Sequence, residues 1–328
     1  MKVTVYSALS FERALLEHAN AGRHQLQVLD DHLDATTAAL AQGSLAVSVF
    51  AADDVSAPIL ELLWAQGVRY VLVRAAGTDN VDLAAAHRLG LHVANVPDYS
   101  PYAIAEHAVA LMLALCRHLR QADQLLRANY FRLDQLIGFD LHGKTVGIVG
   151  VGRIGAVLAR ILHGFGCRLL GVDMVPNEEL RQRYDLHYVP LPELCAQADI
   201  ISIHTPLTAD THHLIDEQVF ASMKPGMMLI NTGRGGVLDT AAALRALDSG
   251  QLGYLGLDVY EAEKALFFGD HTRDQQHDPV FTSLLSYPNV LVTGHQGYLT
   301  REALTHIATA VVASLDAWAG GGSSAHEL

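Results

Sequence analysis

Arg234, Glu263 and His295 each stand just beyond an apolar run that reads as a buried strand. Arg234 follows "LINTG", Glu263 follows "LGLDVYEA" and His295 follows "VLVTG". In an open parallel sheet, ligands collect outside the carboxyl ends of the strands. An arginine, a carboxylate and a histidine at three such ends therefore point to one edge of one sheet. Together they suit the reduction of a carbonyl. A guanidinium can bind a carboxylate and polarise a neighbouring keto oxygen. An imidazolium can donate the proton that a developing alkoxide needs. A carboxylate beside the ring orients it and favours its protonated form.

Such a reaction needs a hydride carrier, and the sequence offers a place for one. Gly150-Val151-Gly152-Arg153-Ile154-Gly155 is a GxGxxG motif between an apolar strand, "KTVGIVG", and an amphipathic helix, "RIGAVLARILHGFG". Gly150 permits the tight turn, Gly152 lets a pyrophosphate approach the backbone, and Gly155 allows close helix–strand packing. The helix N-terminus offers N–H groups and a positive dipole end to the phosphates. A second strand ends in Asp173, 21 residues after Gly152. Its carboxylate can accept from both ribose hydroxyls and would repel a 2′-phosphate, which favours NAD over NADP. Nicotinamide then carries the hydride.

The elements around these residues fall into two α/β series. Apolar strands at 2–7, 25–30, 45–50, 70–75 and 91–96 alternate with helices at 11–21, 58–67 and 80–90. A helix from 101 to 122 follows, opened by Ser100 and Pro101. The second series has strands at 144–150, 168–173, 199–206, 227–233, 254–260 and 289–294. A last helix, from 300 to 319, is expected to pack back on the first series, and "GGGSSAHEL" reads as a flexible end. The expected fold is α/β with two doubly wound parallel sheets.

Composition narrows the classes of function. The 328 residues are 50% hydrophobic, enough for a sizeable core. The formal charge of −13, with no basic run, speaks against nucleic acid and anionic membranes as partners. "HAVALMLALC" runs straight into Arg117-His118-Leu119-Arg120 and reads as a buried helix, not a membrane span. Cys116, Cys167 and Cys195 lack CxxC spacing, which argues against a disulfide framework and a zinc site. No signal-peptide pattern opens the chain, so a cytoplasmic location is the expectation.

The chain resembles the D-isomer-specific 2-hydroxyacid dehydrogenase family and, within it, the lactate-forming members. The resemblance spans essentially the whole length. "AGTDNVDLAAA", "VPDYSPYAIAEHA", "GKTVGIVGVGRIG", "HTPLTADTHHLI", "NTGRGGVLD", "GLDVYEAEKALFF" and "NVLVTGHQGYLT" carry it. It implies a discontinuous, flavodoxin-like substrate domain (1–100 plus 300–328) and a Rossmann NAD domain (101–299), with the active site in the cleft between them. It implies Arg234, Glu263 and His295 as the catalytic group. Ala76, Gly77, Tyr99 and Tyr298 match substrate contacts. His204, Thr205, Pro206, Thr232, Gly233 and Asp258 join the glycine motif as cofactor contacts, with Asp258 against the nicotinamide amide. It further implies reversible reduction of pyruvate by NADH, no metal, and a homodimer or homotetramer through the NAD domain. Gly233, Gly236, Asp98 and Gly297 depart from the family's pattern and bear on substrate size. A bulkier keto acid, glyoxylate or hydroxypyruvate is the alternative substrate. An NAD-sensing corepressor, which shares the fold, is the alternative of another class.

Replacing Asp173 with alanine is expected to weaken NADH binding by about 1.5–3 kcal/mol and to narrow the gap to NADPH. Michaelis constants for both cofactors check this, and unchanged values would remove Asp173 from the ribose site.

Overall fold

The computed structural model describes residues 1–272 and 278–328. The chain divides into two compact units, residues 1–100 with 299–328, and residues 101–298.

The first unit begins β1 (Lys2–Val5), α1 (Ser10–Asn20), β2 (Gln25–Val28), β3 (Ala46–Val49), α2 (Ala57–Ala65), β4 (Tyr70–Val73), α3 (Leu83–Leu89) and β5 (His92–Ala94). Its sheet is parallel throughout, in the order β2-β1-β3-β4-β5. That is the flavodoxin-type doubly wound order. Val3, Val47, Val49, Val71 and Val73 are fully buried between the helical layers, as a parallel sheet covered on both faces requires.

The second unit holds α4 (Pro101–Cys116), α5 (Leu119–Arg127), β6 (Thr145–Val149), α6 (Arg153–Gly164), β7 (Arg168–Val172), α7 (Glu178–Tyr184), β8 (Leu186–Tyr188), α8 (Leu191–Gln197) and β9 (Ile200–Ile203). It continues with α9 (Glu217–Ser222), β10 (Met227–Asn231), α10 (Thr240–Asp248), β11 (Leu252–Leu257), α11 (Pro279–Ser286) and β12 (Val290–Val292). Its strand order, β12-β11-β10-β9-β6-β7-β8, is the Rossmann order with one strand added. The chain then ends in α12 (Arg301–Ala319), which packs on α1 of the first unit.

Register is what builds the site. Val172, Val149, Ile203, Asn231, Leu257 and Val292 pair in one row across the second sheet. The residues that follow them are Asp173, Gly150, His204, Thr232, Asp258 and Thr293. Six strands thus stop in line, and each delivers its next residue to the same edge.

Two expectations are corrected. The helix expected from 101 to 122 is two helices bent by 56°, because His118 adopts a left-handed backbone (φ 50°). No single helix among the described residues is long and apolar enough to cross a membrane. The tail expected to be flexible is docked instead. Ser324 Oγ donates to Ser314 Oγ, and Glu327 accepts from Trp318 Nε1 and faces His92. Its Gly-Ser composition suggests freedom, but side chains from α12 and β5 hold it. The three cysteines are buried and unpaired, and burial pushes the Cys167 and Cys195 thiols up to about 11.

In the first unit, Arg74 is 1% exposed at the end of β4. Its Nη2 donates to the carbonyls of Tyr6 (2.8 Å) and Ser7 (3.1 Å), and its Nε lies 3.3 Å from Glu12 Oε1. This buried pair fixes the point where the chain leaves β4 for the Ala76-Gly77 loop. Arg74→Met should cost about 3–5 kcal/mol, because it leaves the Glu12 carboxylate buried without its partner. Urea unfolding measures the loss, and a cost near zero would show that the pair is dispensable.

Candidate active site

His295 lies beyond β12 with a left-handed backbone (φ 52°), unusual outside glycine. Its N–H donates to the Asp258 carbonyl (2.7 Å), and the side chain of Asp258 holds the residues that follow. Asp258 Oδ1 accepts from Thr293 Oγ1 (2.5 Å) and Gln296 N (2.9 Å), and Oδ2 accepts from Gly297 N (2.7 Å). His107 Nε2, from α4, lies 3.2 Å from Oδ1. Asp258 is only 2% exposed, and burial alone would raise its pKa. The hydrogen bonds from His107, Thr293 and Gln296 outweigh that and bring it down to about 2, so it is ionised at any working pH. Gly297 is explained by the same contact. A Cβ there would sit 2.9 Å from Asp258 Oδ2, so alanine would require the carboxylate to shift away from the Gly297 N–H.

Glu263 reaches His295 from the turn after β11. Its Oε1 lies 2.9 Å from His295 Nδ1, and its Oε2 accepts from Tyr260 N (2.9 Å). The carboxylate is therefore oriented on both sides. With Glu263 accepting, Nδ1 carries the proton and Nε2 is left for exchange with a ligand. Both side chains are about four-fifths buried, at 19% and 20% exposure, so the pair is shielded yet reachable. Phe268, another non-glycine residue at positive φ (68°), places its ring 5.8 Å from the imidazole.

Arg234 follows β10 in extended conformation. Asn231 Nδ2 donates to its carbonyl (3.0 Å), and Arg234 Nη1 donates to Gly233 O (2.9 Å). The next residue, Gly235, must be glycine. A Cβ there would lie 2.2 Å from the Tyr260 carbonyl carbon and 2.5 Å from Glu261 N. Backbone thus touches backbone between the arginine segment and the turn that carries Glu263.

The nucleotide motif closes the other half of the edge. Gly150 has φ 89°, and a Cβ on it would lie 2.7 Å from Thr205 N. At Gly152 a Cβ would meet nothing within 4 Å, so the N-terminus of α6 opens on free space. Asp173 Oδ2 accepts from Val151 N (2.7 Å) and Oδ1 from Val175 N (3.0 Å), which holds the carboxylate beside the glycine turn. His204 Nε2 lies 2.9 Å from Ser202 Oγ, and its Nδ1 lies 3.5 Å from Thr232 Oγ1. Burial lowers its pKa to about 4, so it is neutral near pH 7. Pro206 and Gly233 complete this stretch. A helix N-terminus with room for a pyrophosphate, and a carboxylate at the end of β7, are the features a dinucleotide requires.

The structure therefore brings Arg234, Glu263, His295 and the expected cofactor residues to one edge of the second sheet. Tyr298, in the same unit, is 8% exposed. Ala76, Gly77 and Tyr99 lie in the first unit. Asn95 Nδ2 donates to Ala76 O (2.7 Å), and His306 Nδ1 lies 2.8 Å from Tyr99 O. Sequence reasoning missed His107, the Tyr260 N–H and Phe268. The "AEHA" stretch of α4, a lone histidine in an apolar helix, was the available signal for the first.

Residues 109–297 match the sequence model of the D-isomer specific 2-hydroxyacid dehydrogenase NAD binding domain. The chain is 46% identical to D-lactate dehydrogenase kk1H of Curvularia clavata, over 100% of this chain and 95% of that one. It is 44% identical to the D-lactate dehydrogenase of Escherichia coli strain K12, over 100% of both. The apo structure of the Escherichia coli enzyme superposes with a TM-score of 0.89 at 41% identity, covering 100% of each chain. The chain belongs to the D-isomer-specific 2-hydroxyacid dehydrogenase family. It is an NAD-dependent oxidoreductase with a Rossmann domain and a second parallel-sheet domain.

Asp258→Asn should cost about 2–4 kcal/mol in unfolding free energy, since the amide cannot accept from every donor without turning an N–H toward one of them. A carboxylate held at about 2 contributes stability above its unfolded value and loses it as pH falls through 2. The wild type should therefore give up about 2 kcal/mol between roughly pH 4 and pH 2 through this group. Urea midpoints across that range, in wild type and variant, should show the limb in the first and not in the second.

Proposed function

We propose that the chain interconverts pyruvate and D-lactate with NADH and NAD. The observation that carries this reading is the Glu263–His295 pair at 2.9 Å, on the same sheet edge as Arg234 and the nucleotide motif. Similarity to D-lactate dehydrogenases over the full length supports it.

Each residue has a role in this reading. Arg234 binds the substrate carboxylate and polarises the keto oxygen. Backbone N–H groups at Ala76 and Gly77 hold the same carboxylate, and Tyr99 and Tyr298 touch the substrate. His295 gives its Nε2 proton to the alkoxide as it forms and takes it back in the reverse direction. Glu263 fixes the tautomer and offsets the charge of the imidazolium. The nicotinamide, when bound, supplies or accepts the hydride. Gly150, Gly152, Arg153, Ile154, Gly155 and Asp173 would hold the dinucleotide, together with His204, Thr205, Pro206, Thr232 and Gly233. Asp258 serves the cofactor end through the loop that it fixes. Asp173 also carries the preference for NADH over NADPH, through its charge.

The Phe268 ring, 5.8 Å from the imidazole, puts an apolar group near it, in keeping with a small apolar substrate side chain. Assembly as a homodimer or homotetramer through the NAD domain and a cytoplasmic location belong to the same proposal. Three unpaired buried cysteines suit a reducing compartment.

The test is NADH oxidation over a panel of pyruvate, glyoxylate, hydroxypyruvate and a branched keto acid. The highest kcat/KM on pyruvate is expected. A higher value on another acid would transfer the assignment to that acid, and no turnover on any of them would favour a binding protein. His295→Gln should lower kcat by roughly 10²–10⁴-fold while NADH affinity holds. Arg234→Lys should lose about 10²–10³-fold, because an ammonium cannot form the planar fork. Near-normal turnover in either variant would displace that residue from its role.

A further inference from the structure

A second cluster of ligating side chains lies outside the triad. His212 and His213 are consecutive, yet their rings stack with centroids 4.0 Å apart and planes within 24°. In a strand, neighbouring side chains point to opposite faces, and stacking is ruled out. Here His213 has a left-handed backbone (φ 51°), which turns both imidazoles to one side. Glu261, 48 positions on, meets them there, with Oε1 2.6 Å from His213 Nε2. One ligand atom from each of the three residues lies within 4.8 Å of the other two. Glu261 Oε2 accepts from Thr240 N (3.3 Å), which orients the carboxylate. Burial opposes ionisation of Glu261, but the His213 and Thr240 hydrogen bonds win and hold its carboxyl below the ordinary range.

We propose that His212, His213 and Glu261 form a binding site for one divalent late-transition ion of the zinc class. Two imidazoles and one carboxylate are the ligand set such ions prefer, whereas calcium and magnesium select all-oxygen sites. The ion replaces the proton between His213 and Glu261, so their separation need widen only slightly. His212, whose ring is exposed, closes in as the third ligand, and water completes a tetrahedron. The Thr240 N–H fixes the free oxygen of Glu261, as outer partners do at built metal sites.

The site grips three segments behind the triad. His213 N donates to Gly236 O (2.9 Å), two residues from Arg234. Glu261 lies between Tyr260, whose N–H holds Glu263, and Glu263 itself. An ion that draws Glu261 toward the histidines therefore pulls on the backbone that positions both the arginine and the carboxylate, and lowers kcat.

Titration of the full-length protein with Co²⁺, followed by visible absorption, tests the site. The expected result is an intense tetrahedral band that saturates near one equivalent in wild type. Affinity should fall at least about tenfold in His212→Ala and in Glu261→Gln, which keeps an acceptor for Thr240. The same isotherm in wild type and both variants, or only the weak spectrum of an octahedral ion, overturns the proposal. The kinetic arm rests on the dehydrogenase reading, while the Co²⁺ isotherm does not, so the two fail separately. Zn²⁺ should lower kcat for pyruvate in wild type and leave His212→Ala unaffected. Equal inhibition of both overturns control through this site.

Discussion

The buried carboxylate of Asp258 is the constraint on which the site depends. It is withdrawn from water, which alone would favour the neutral acid, and four donors converge on it and keep it charged. Three of those donors come from the loop after β12, and the fourth from α4. The carboxylate therefore ties the ends of β11 and β12 to a helix more than a hundred residues earlier in the chain. His295 is held within this tie by its backbone, in a conformation that a free histidine would leave. The imidazole then needs only Glu263 to set its rotation. One carboxylate fixes the place of the ring and the other its tautomer, a division that lets each be optimised alone.

Backbone contact does the same for the arginine. At Gly235 the main chain lies directly on the Tyr260–Glu261 peptide, with no side chain between. Such contacts hardly deform, because interiors are packed to crystal-like density. The segments bearing Arg234 and Glu263 accordingly share one reference surface. The row of six strand ends behind them gives the nucleotide motif the same reference.

Much of this was legible in the sequence, for physical reasons that can be named. A parallel strand buried on both faces must be apolar until it emerges, so the first polar residue after "LINTG" or "VLVTG" marks the edge where ligands gather. The glycine motif declares itself through its neighbours, a strand before and a helix after. The rest depends on contacts remote in sequence. His107 looks like any histidine in an apolar helix until β12 is placed beside it. The break at His118 was hidden because its flanks, "ALC" and "LRQADQLLR", are both good helix. Gly297 reads in the sequence as a departure that bears on substrate size, whereas its missing Cβ makes room for Asp258. The final segment misled by composition, since glycine and serine count as freedom only when nothing binds them.

That final segment also settles how the first sheet ends. β5 is one of its two outer strands, and such a strand displays unpaired N–H and C=O groups to any passing chain. Here Asn95 N donates to His326 O, Leu328 N donates to Val93 O, and Ala94 forms an antiparallel bridge with Glu327. The last three residues thus act as a short cover strand laid over an otherwise adhesive border. Fraying them would uncover the N–H and C=O groups of β5 and offer neighbouring molecules a template for strand addition. Guarding that border falls to a few residues after α12, a task separate from the one performed by the row of strand ends in the second sheet.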